Sequence, residues 1–190
     1  MPEGMRDNEA FPQPIITPAT KADTGHDVDI SGDDIIRQGI LDEKTYRELE
    51  RITRALFLRG TEMAAKQGLI LVDTKYEFGW YRDEIYIIDE VHTPDSSRYW
   101  YKATYQENLD KGLPQEHLSK EFVREWLMSK GFQGLDGQQM PAMDDVIVNM
   151  ISDRYIHLYE VMTGSKFNPG DDDPEIIESA IADALVSMSE

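Results

Sequence analysis

The sequence predicts an α+β fold, an antiparallel β-hairpin or small sheet packed with several helices. Three observations predict it. Residues 69–91 hold two β-rich runs separated by a short polar turn, the mark of an antiparallel hairpin. On either side lie stretches with apolar residues at helical spacing, bounded by capping residues. The chain has 190 residues, 40% of them hydrophobic, enough for one domain with a real core.

Taken in order, residues 1–32 show little periodicity and are rich in Pro, Gly, Asp and Thr, which reads as an exposed leader or long loop. A short helix is expected over Asp33–Gln38, stopped by Gly39. The clearest long helix spans Glu43–Lys66, with Asp42 as N-cap and Gly68 just past its end. Its stripe of Tyr46, Leu49, Ile52, Leu56, Met63 and Ala64 steps at helical spacing and reads as core.

Leu69–Phe78 then alternates. Side chains of a strand point to opposite faces with a period of two, so Ile70, Val72, Thr74, Tyr76 and Phe78 share one face. Asp73, Lys75 and Glu77 share the other, with Leu69 and Leu71 leading in. After the polar turn Tyr81-Arg82-Asp83-Glu84, the second run IYIIDEV carries Asp89 and Glu90. A loop with an odd number of residues brings Asp89 to the face of Asp73, Lys75 and Glu77, and an even loop brings Glu90 there instead. We take the odd case, with Asp89, as the expectation. In both cases three carboxylates converge around one lysine. Such a cluster repels itself unless a cation or proton sits within it, and oxygen donors without His or Cys favour Mg²⁺ over zinc. The following loop, Thr93-Pro94-Asp95-Ser96-Ser97-Arg98, combines hydroxyls, a carboxylate and a guanidinium suited to phosphate or carboxylate ligands.

Beyond the hairpin, Arg98–Leu109 reads as a helix, broken at Lys111-Gly112-Leu113-Pro114. Ser119 is expected to cap a helix running to Lys130, with Leu118 and Val123 as a hydrophobic staple. Gly131–Met140 is a loop. A third helix is expected over Pro141–Thr163, ended by Gly164, with Val146, Met150, Leu158 and Met162 inward. His157 reads as structural or exposed. Asn168–Asp173 is a turn, and Pro174 opens a last helix to Ser187.

Charge narrows the function. Nineteen Lys and Arg against thirty-seven Asp and Glu give a net charge of −18, which argues against nucleic acid or an anionic membrane as partner. An anionic substrate must then be met by local Lys and Arg, or by a metal. Cysteine is absent, so neither disulfides nor thiolate chemistry is available. No apolar run approaches a membrane span and no signal-peptide core opens the chain, so the expected class is a cytoplasmic enzyme or subunit.

At these residues the sequence resembles a known family. Leu71-Val72-Asp73-Thr74-Lys75-Tyr76-Glu77-Phe78-Gly79 is similar to the second signature of the SAICAR synthetases, the phosphoribosylaminoimidazole-succinocarboxamide synthases of purine biosynthesis. Asp89-Glu90-Val91, Thr93 to Arg98 and Trp100 continue the resemblance. Upstream, PEG, PIITPATKA and His26-Asp27 match the segment by which the family's chain crosses its active site. Downstream, Ser119 to Leu127 matches a family segment that has Gln where this chain has Glu121, and Asp153-Arg154-Tyr155 and Tyr159 to Lys166 resemble the closing helix. The resemblance covers about residues 2–168. The family's first signature, an Arg followed by Thr or Ala, Gly and Ser in a nucleotide-binding lobe, has no match here. The chain therefore resembles the C-terminal part of a larger member.

That resemblance implies three parts: an extended active-site segment over 1–32, the family's C-terminal lobe over 33–170, and a C-terminal helix over 171–190. It implies an ATP-dependent carbon–nitrogen ligase joining 5-aminoimidazole-4-carboxy ribonucleotide to L-aspartate, with Mg²⁺. Glu77 and Asp89 are the implied metal carboxylates and Lys75 the implied neutraliser of the reacting group. Asp73 would position the metal-bound substrate or assist proton removal from the amine. Lys21, His26, Asp27, Asp95, Ser97 and Arg98 are implied substrate contacts; Lys120 and Arg124 would reach ligand or pair with acidic neighbours. Without the resemblance, His26-Asp27 reads as a surface pair. The contrasting expectation is a non-catalytic structural or regulatory remnant of the family. In either case a chain lacking the other lobe is expected to be inactive alone and to self-associate through the surface that lobe would cover.

Overall fold

The computed structural model describes residues 4–21, 27–118, 121–135, 137–170 and 173–188. Helices and short antiparallel strands follow the expected α+β class. Two strands come first, β1 (Ala19–Thr20) and β2 (Val28–Asp29), paired antiparallel. Helix α1 (Gly32–Arg37) is capped by Ser31, whose side chain accepts from the Asp34 amide. Helix α2 runs Glu43–Lys66, the span read from the sequence. The Asp42 carboxylate accepts from the Thr45 amide, and Gly68 turns the chain out at φ +73°. On α2 Tyr46 and Ala64 are buried, Leu49, Ile52 and Leu56 are half-buried, and Met63 faces solvent, so the apolar stripe ends at Ala64 rather than Met63.

The strand region differs from the expected single hairpin. Strand β3 (Leu69–Thr74) pairs not with the run after it but with β6 (Ser97–Tyr101). The chain leaves that ladder at Lys75-Tyr76 and forms a separate ribbon, β4 (Glu77–Tyr81) against β5 (Glu84–Ile88). Arg98–Tyr101 is thus strand, not the start of a helix. The aromatic run Tyr99-Trp100-Tyr101 suits a half-buried pleated surface, and α3 begins only at Lys102 (Lys102–Lys111), ending on Gly112 at φ +64°.

Parity changes twice. Between Leu71 and Asp73 the β3–β6 register slips: Leu71 opposes Tyr99 and Asp73 opposes Arg98, leaving Val72 as a bulge. Leu69 and Leu71 therefore point into the core with Tyr99, and Asp73 comes onto the opposite face with Ile70, Arg98 and Trp100. The β4–β5 turn is two residues long, because Tyr81 pairs with Glu84. Arg82 and Asp83 both sit at positive φ, 51° and 61°, the backbone pattern of a type I′ turn. Its even length sets Glu77 against Ile88, so the expected placement of Asp89 by an odd-length loop does not occur.

The core gathers Ala64 from α2, Leu69 and Leu71 from β3, Tyr99 from β6, Leu118, and Leu158 from α5 (Asp145–Thr163). Tyr99 is fully buried and Leu69 nearly so. Burial of each leucine is worth about 1.5–3 kcal/mol relative to exposure. Helix α5 starts at Asp145, later than Pro141, because the Asp144 carboxylate caps the Ile147 amide. Its inner stripe runs through Ile147 and Leu158; Val146 and Met150 are exposed, contrary to the sequence reading. Helix α4 (Glu121–Ser129) packs Phe122 under the Arg154 guanidinium at 4.0 Å. Ser119, the expected cap of that helix, lies outside the described residues. The described part of α6 (Pro174–Met188) is exposed throughout. No helix among the described residues is long and apolar enough to cross a membrane.

Candidate active site

Two adjoining cavities meet at Asp73, Thr74, Lys75 and Arg98, residues that line both. The larger is a groove of about 1630 Å³ between the N-terminal segment, α2 and the outer face of β3–β6. The smaller, of about 350 Å³, lies under the loop that follows β5. The strand break at Lys75-Tyr76 creates the junction. Lys75 leaves the β3 ladder with its amide donating to the Ser96 carbonyl at 3.0 Å, which ties it to the 93–98 loop.

On the groove side, Glu77 is the hub. Its Oε2 accepts from Lys21 Nζ at 2.5 Å and its Oε1 lies 2.7 Å from Lys75 Nζ. The Glu77 side chain is only 13% exposed, so these two ammonium groups do most of its solvation. Lys21, then Lys75, hold its carboxyl below the usual range, and the Glu77 hydrogen bond in turn raises Lys75. Asp27 joins at 3.5 Å from Lys75 Nζ. Four expected site residues, Lys21, Asp27, Lys75 and Glu77, thus meet in one ion network.

The small cavity is lined by Asp73, Asp89, Glu90, Asp95 and Glu121, against the ammonium of Lys75 and the guanidinium of Arg98. Arg98 lies 3.6 Å from Asp73 and 3.8 Å from Glu121. The strand ladder ends at Ile88, and Asp89, at φ 69°, turns out of it to line this cavity. Glu77 lines the groove instead, so the two implied metal carboxylates open onto neighbouring cavities, with Lys75 common to both. The 90–97 loop is held from within: Thr93 Oγ1 meets Glu90, the Thr93 amide donates to Ser96 Oγ at 3.0 Å, and the Ser97 amide donates to the Thr93 carbonyl at 3.0 Å. Asp95 accepts from the Tyr155 hydroxyl at 3.1 Å; burial first, and Asp95 second, push that phenol up to about 12.

Ser97 is buried, its Oγ 2.8 Å from Thr74 Oγ1, and although its place on β6 alternates with that of Arg98, both residues line the small cavity. Arg124 lines neither cavity and pairs with Glu121 at 4.0 Å. His26 and Lys120 fall outside the described residues.

The donor chemistry suits a hard cation. Every acidic group here is an oxygen donor, and the small cavity carries more negative than positive groups. Among the described residues no three carboxylate or imidazole groups lie close enough to enclose a metal by themselves.

Several participants were not singled out from the sequence: His92, Tyr76 as its partner, Tyr155, and the tethers of the N-terminal segment. Those tethers are Tyr105, whose hydroxyl donates to the Asn8 carbonyl and accepts from the Ala10 amide, and Arg54, which donates to the Pro14 carbonyl. One signal was available. Gly60 interrupts a 24-residue helix, and a mid-helix glycine commonly marks a close approach.

The fold matches a SAICAR synthase from Saccharomyces cerevisiae complexed with SAICAR, with a TM-score of 0.70 and 35% identity, over 88% of this chain and 52% of that one. It also matches a SAICAR synthetase in complex with ADP, with a TM-score of 0.59 and 26% identity, over 84% and 55%. A sequence model of the SAICAR synthetase family matches residues 1–139. The phosphoribosylaminoimidazole-succinocarboxamide synthases of Bacteroides thetaiotaomicron and Cytophaga hutchinsonii are 61% and 58% identical over 88% and 92% of the chain. The chain belongs to the SAICAR synthetase family. It spans about half the length of these relatives, 54% and 57%.

Proposed function

We propose that this chain forms one wall of the active site of an ATP-dependent carbon–nitrogen ligase, a phosphoribosylaminoimidazole-succinocarboxamide synthase of purine biosynthesis acting in the cytoplasm. The observation that carries the reading is Lys75, bound to Glu77 and standing where the groove and the acidic cavity join. The names of the relatives and the SAICAR and ADP of the solved neighbours support it.

The reaction couples the carboxylate of 5-aminoimidazole-4-carboxy ribonucleotide to the amine of L-aspartate. A carboxylate is a poor electrophile, so its oxygen first attacks the γ-phosphorus of ATP, releasing ADP and leaving an acyl phosphate. The amine nitrogen then attacks the acyl carbon, phosphate departs, and the nitrogen loses a proton. Both steps bring anions together, and fixed cations lower the barrier. Lys75 neutralises the reacting group when Glu77 and Asp27 release it. Arg98 faces the groove and binds the substrate's phosphate or carboxylate; Asp95, held by Tyr155, orients its loop. Asp73, opposite Arg98, either positions substrate or takes the amine proton. Lys21 and Asp27 contact substrate from the N-terminal segment, with His26 beside them in sequence. Glu77 and Asp89 are the carboxylates that would hold Mg²⁺, which when bound neutralises the ATP phosphates.

The facing wall would come from the remaining half of the family's length. The β4–β5 ribbon suits such a contact, with Trp80, Tyr81, Tyr86, Ile87 and Ile88 exposed on two strands that pair with no third among the described residues. A product assay with all three substrates and Mg²⁺ tests the reading. The purified 190-residue chain alone yields no SAICAR, and adding the N-terminal half of a relative as a separate chain restores part of the activity. In that complemented enzyme Lys75→Met abolishes turnover while leaving the melting temperature nearly unchanged. Robust product from the chain alone, or full turnover by Lys75→Met, overturns it.

A further inference from the structure

Between Glu90 and Thr93 the chain is held by a residue with no part in the chemistry above. His92 sits at φ 59°, a left-handed conformation costly for a residue with a side chain. Three elements converge on it. From α2, Gly60 meets the imidazole face so closely that a Cβ there would stand 2.4 Å from Cε1. From the link between β3 and β4, Tyr76 approaches edge-on, ring centroids 5.5 Å apart, its hydroxyl 2.5 Å from Nε2. From β6, the Tyr99 hydroxyl donates to the His92 carbonyl at 3.0 Å. Burial pushes the imidazole below its ordinary 6.5 and the Tyr76 phenol up to about 12, so both are uncharged at neutral pH. One hydrogen bond between two uncharged groups therefore joins the phenol to Nε2.

The position of this residue in the chain gives it consequence. Asp89 and Glu90 precede it, and Asp95 and Arg98 follow it, all four lining the small cavity, while His92 lines neither cavity. We propose that His92 is a positioning residue: seated against Gly60 and bonded to Tyr76, it sets the path of the 89–98 loop and so the approach of Glu90, Asp95 and Arg98 to the reacting groups. The glycine is part of the device, since no other residue leaves room for the ring over α2. The assignment to a catalytic site rests on the ligase reading, whereas the hold on the loop is measurable without substrate.

Hydrogen–deuterium exchange of the 190-residue chain reads the hold. The reporters are the amides of Thr93, Ser97 and Lys75, which are bonded within the loop, and the control is the Leu118 amide, which donates to the Tyr99 carbonyl at 3.0 Å. His92→Ala lowers reporter protection about tenfold or more while Leu118 changes less than about threefold, because a local opening is separable from the global one. Tyr76→Phe, which keeps the ring and removes one hydrogen bond, gives a smaller loss confined to the same amides and serves if His92→Ala does not fold. His92→Gln, which retains an acceptor, recovers part of the protection.

In the complemented enzyme His92→Ala lowers kcat about tenfold or more with KM for ATP nearly unchanged, since misplacing groups in the transition state costs rate rather than ground-state binding. Unchanged reporters, or a uniform loss that includes Leu118, overturns the proposal, and so does a loosened loop with normal kcat. A loosened loop in a protein that makes no product under any condition counts against the ligase reading and leaves the hold of His92 on the loop intact.

Discussion

Gly60→Ala is a substitution for which two ordinary effects oppose each other and the structure decides between them. In a free helix interior, alanine is favoured over glycine by about 1 kcal/mol, since glycine loses more backbone freedom on folding. Gly60 lies well inside α2, so propensity alone predicts stabilisation. The added Cβ, however, would stand 2.4, 2.6 and 2.8 Å from Cε1, Nε2 and Nδ1 of His92. Carbon contacts are optimal at about 3.5–4.0 Å, so the ring must retreat by roughly an ångström. Retreat breaks the bond to Tyr76, worth about 0.5–1.5 kcal/mol, and overpacking of this kind costs about 1–3 kcal/mol. The clash wins, with a net destabilisation of about 1–2 kcal/mol, a fall in melting temperature of roughly 2–8 °C at this chain length. In a His92→Ala background the obstacle is gone and the sign reverses, so Gly60→Ala then stabilises by about 1 kcal/mol. Urea and thermal denaturation of the four proteins in the cycle measure both values. A stabilising Gly60→Ala in the otherwise unchanged chain, or equal effects in the two backgrounds, refutes the reasoning.

Three further outcomes are expected. Leu69→Ala removes a side chain that is 1% exposed at the centre of the core, and denaturation should show a loss of about 2–5 kcal/mol. Replacing Arg82-Asp83 by Asn-Gly suits the left-handed φ of both positions and should raise stability by about 1 kcal/mol, read from the urea midpoint at constant slope. Because burial lowers the His92 imidazole in the folded state, its contribution to stability is fully present above the unfolded value of 6.5 and is lost as pH falls through the lowered folded value. Stability measured downward from pH 7.5 should therefore decline more steeply below 6.5 in the parent chain than in His92→Phe, and parallel curves for the two would contradict the assignment.

What the sequence determined on its own is what depends on neighbours in sequence. Helix α2 was legible from end to end because its signals are local: Asp42 at the N-cap, the 3.6-residue stripe, Gly68 in the left-handed position after it. The type of the two β-rich runs was legible for the same reason, as was the charged content of the site, since Asp73, Lys75, Glu77 and the 93–98 loop lie within one short stretch. Which residues face one another was not. The partner of β3 is β6, more than twenty residues on, and the Val72 bulge reverses the parity that strict alternation assigns to Asp73. Arg82 and Asp83 take left-handed conformations with neither Gly nor Asn to announce them, so the even turn, and with it the departure of Asp89 from the ladder, was decided by the pairing of β4 with β5. Residues Arg98–Tyr101 carry strand-favouring aromatics but no apolar–polar alternation to mark a face, and their pairing with β3 beside the core set them as a strand. His92 and Gly60 are thirty-two positions apart, and although a glycine inside α2 marks a close approach, nothing in either segment names the other as its partner. Local propensity is set by a few adjacent dihedral angles, whereas register, bulges and the seating of one ring on one glycine are set by contacts between segments that only the folded chain brings together.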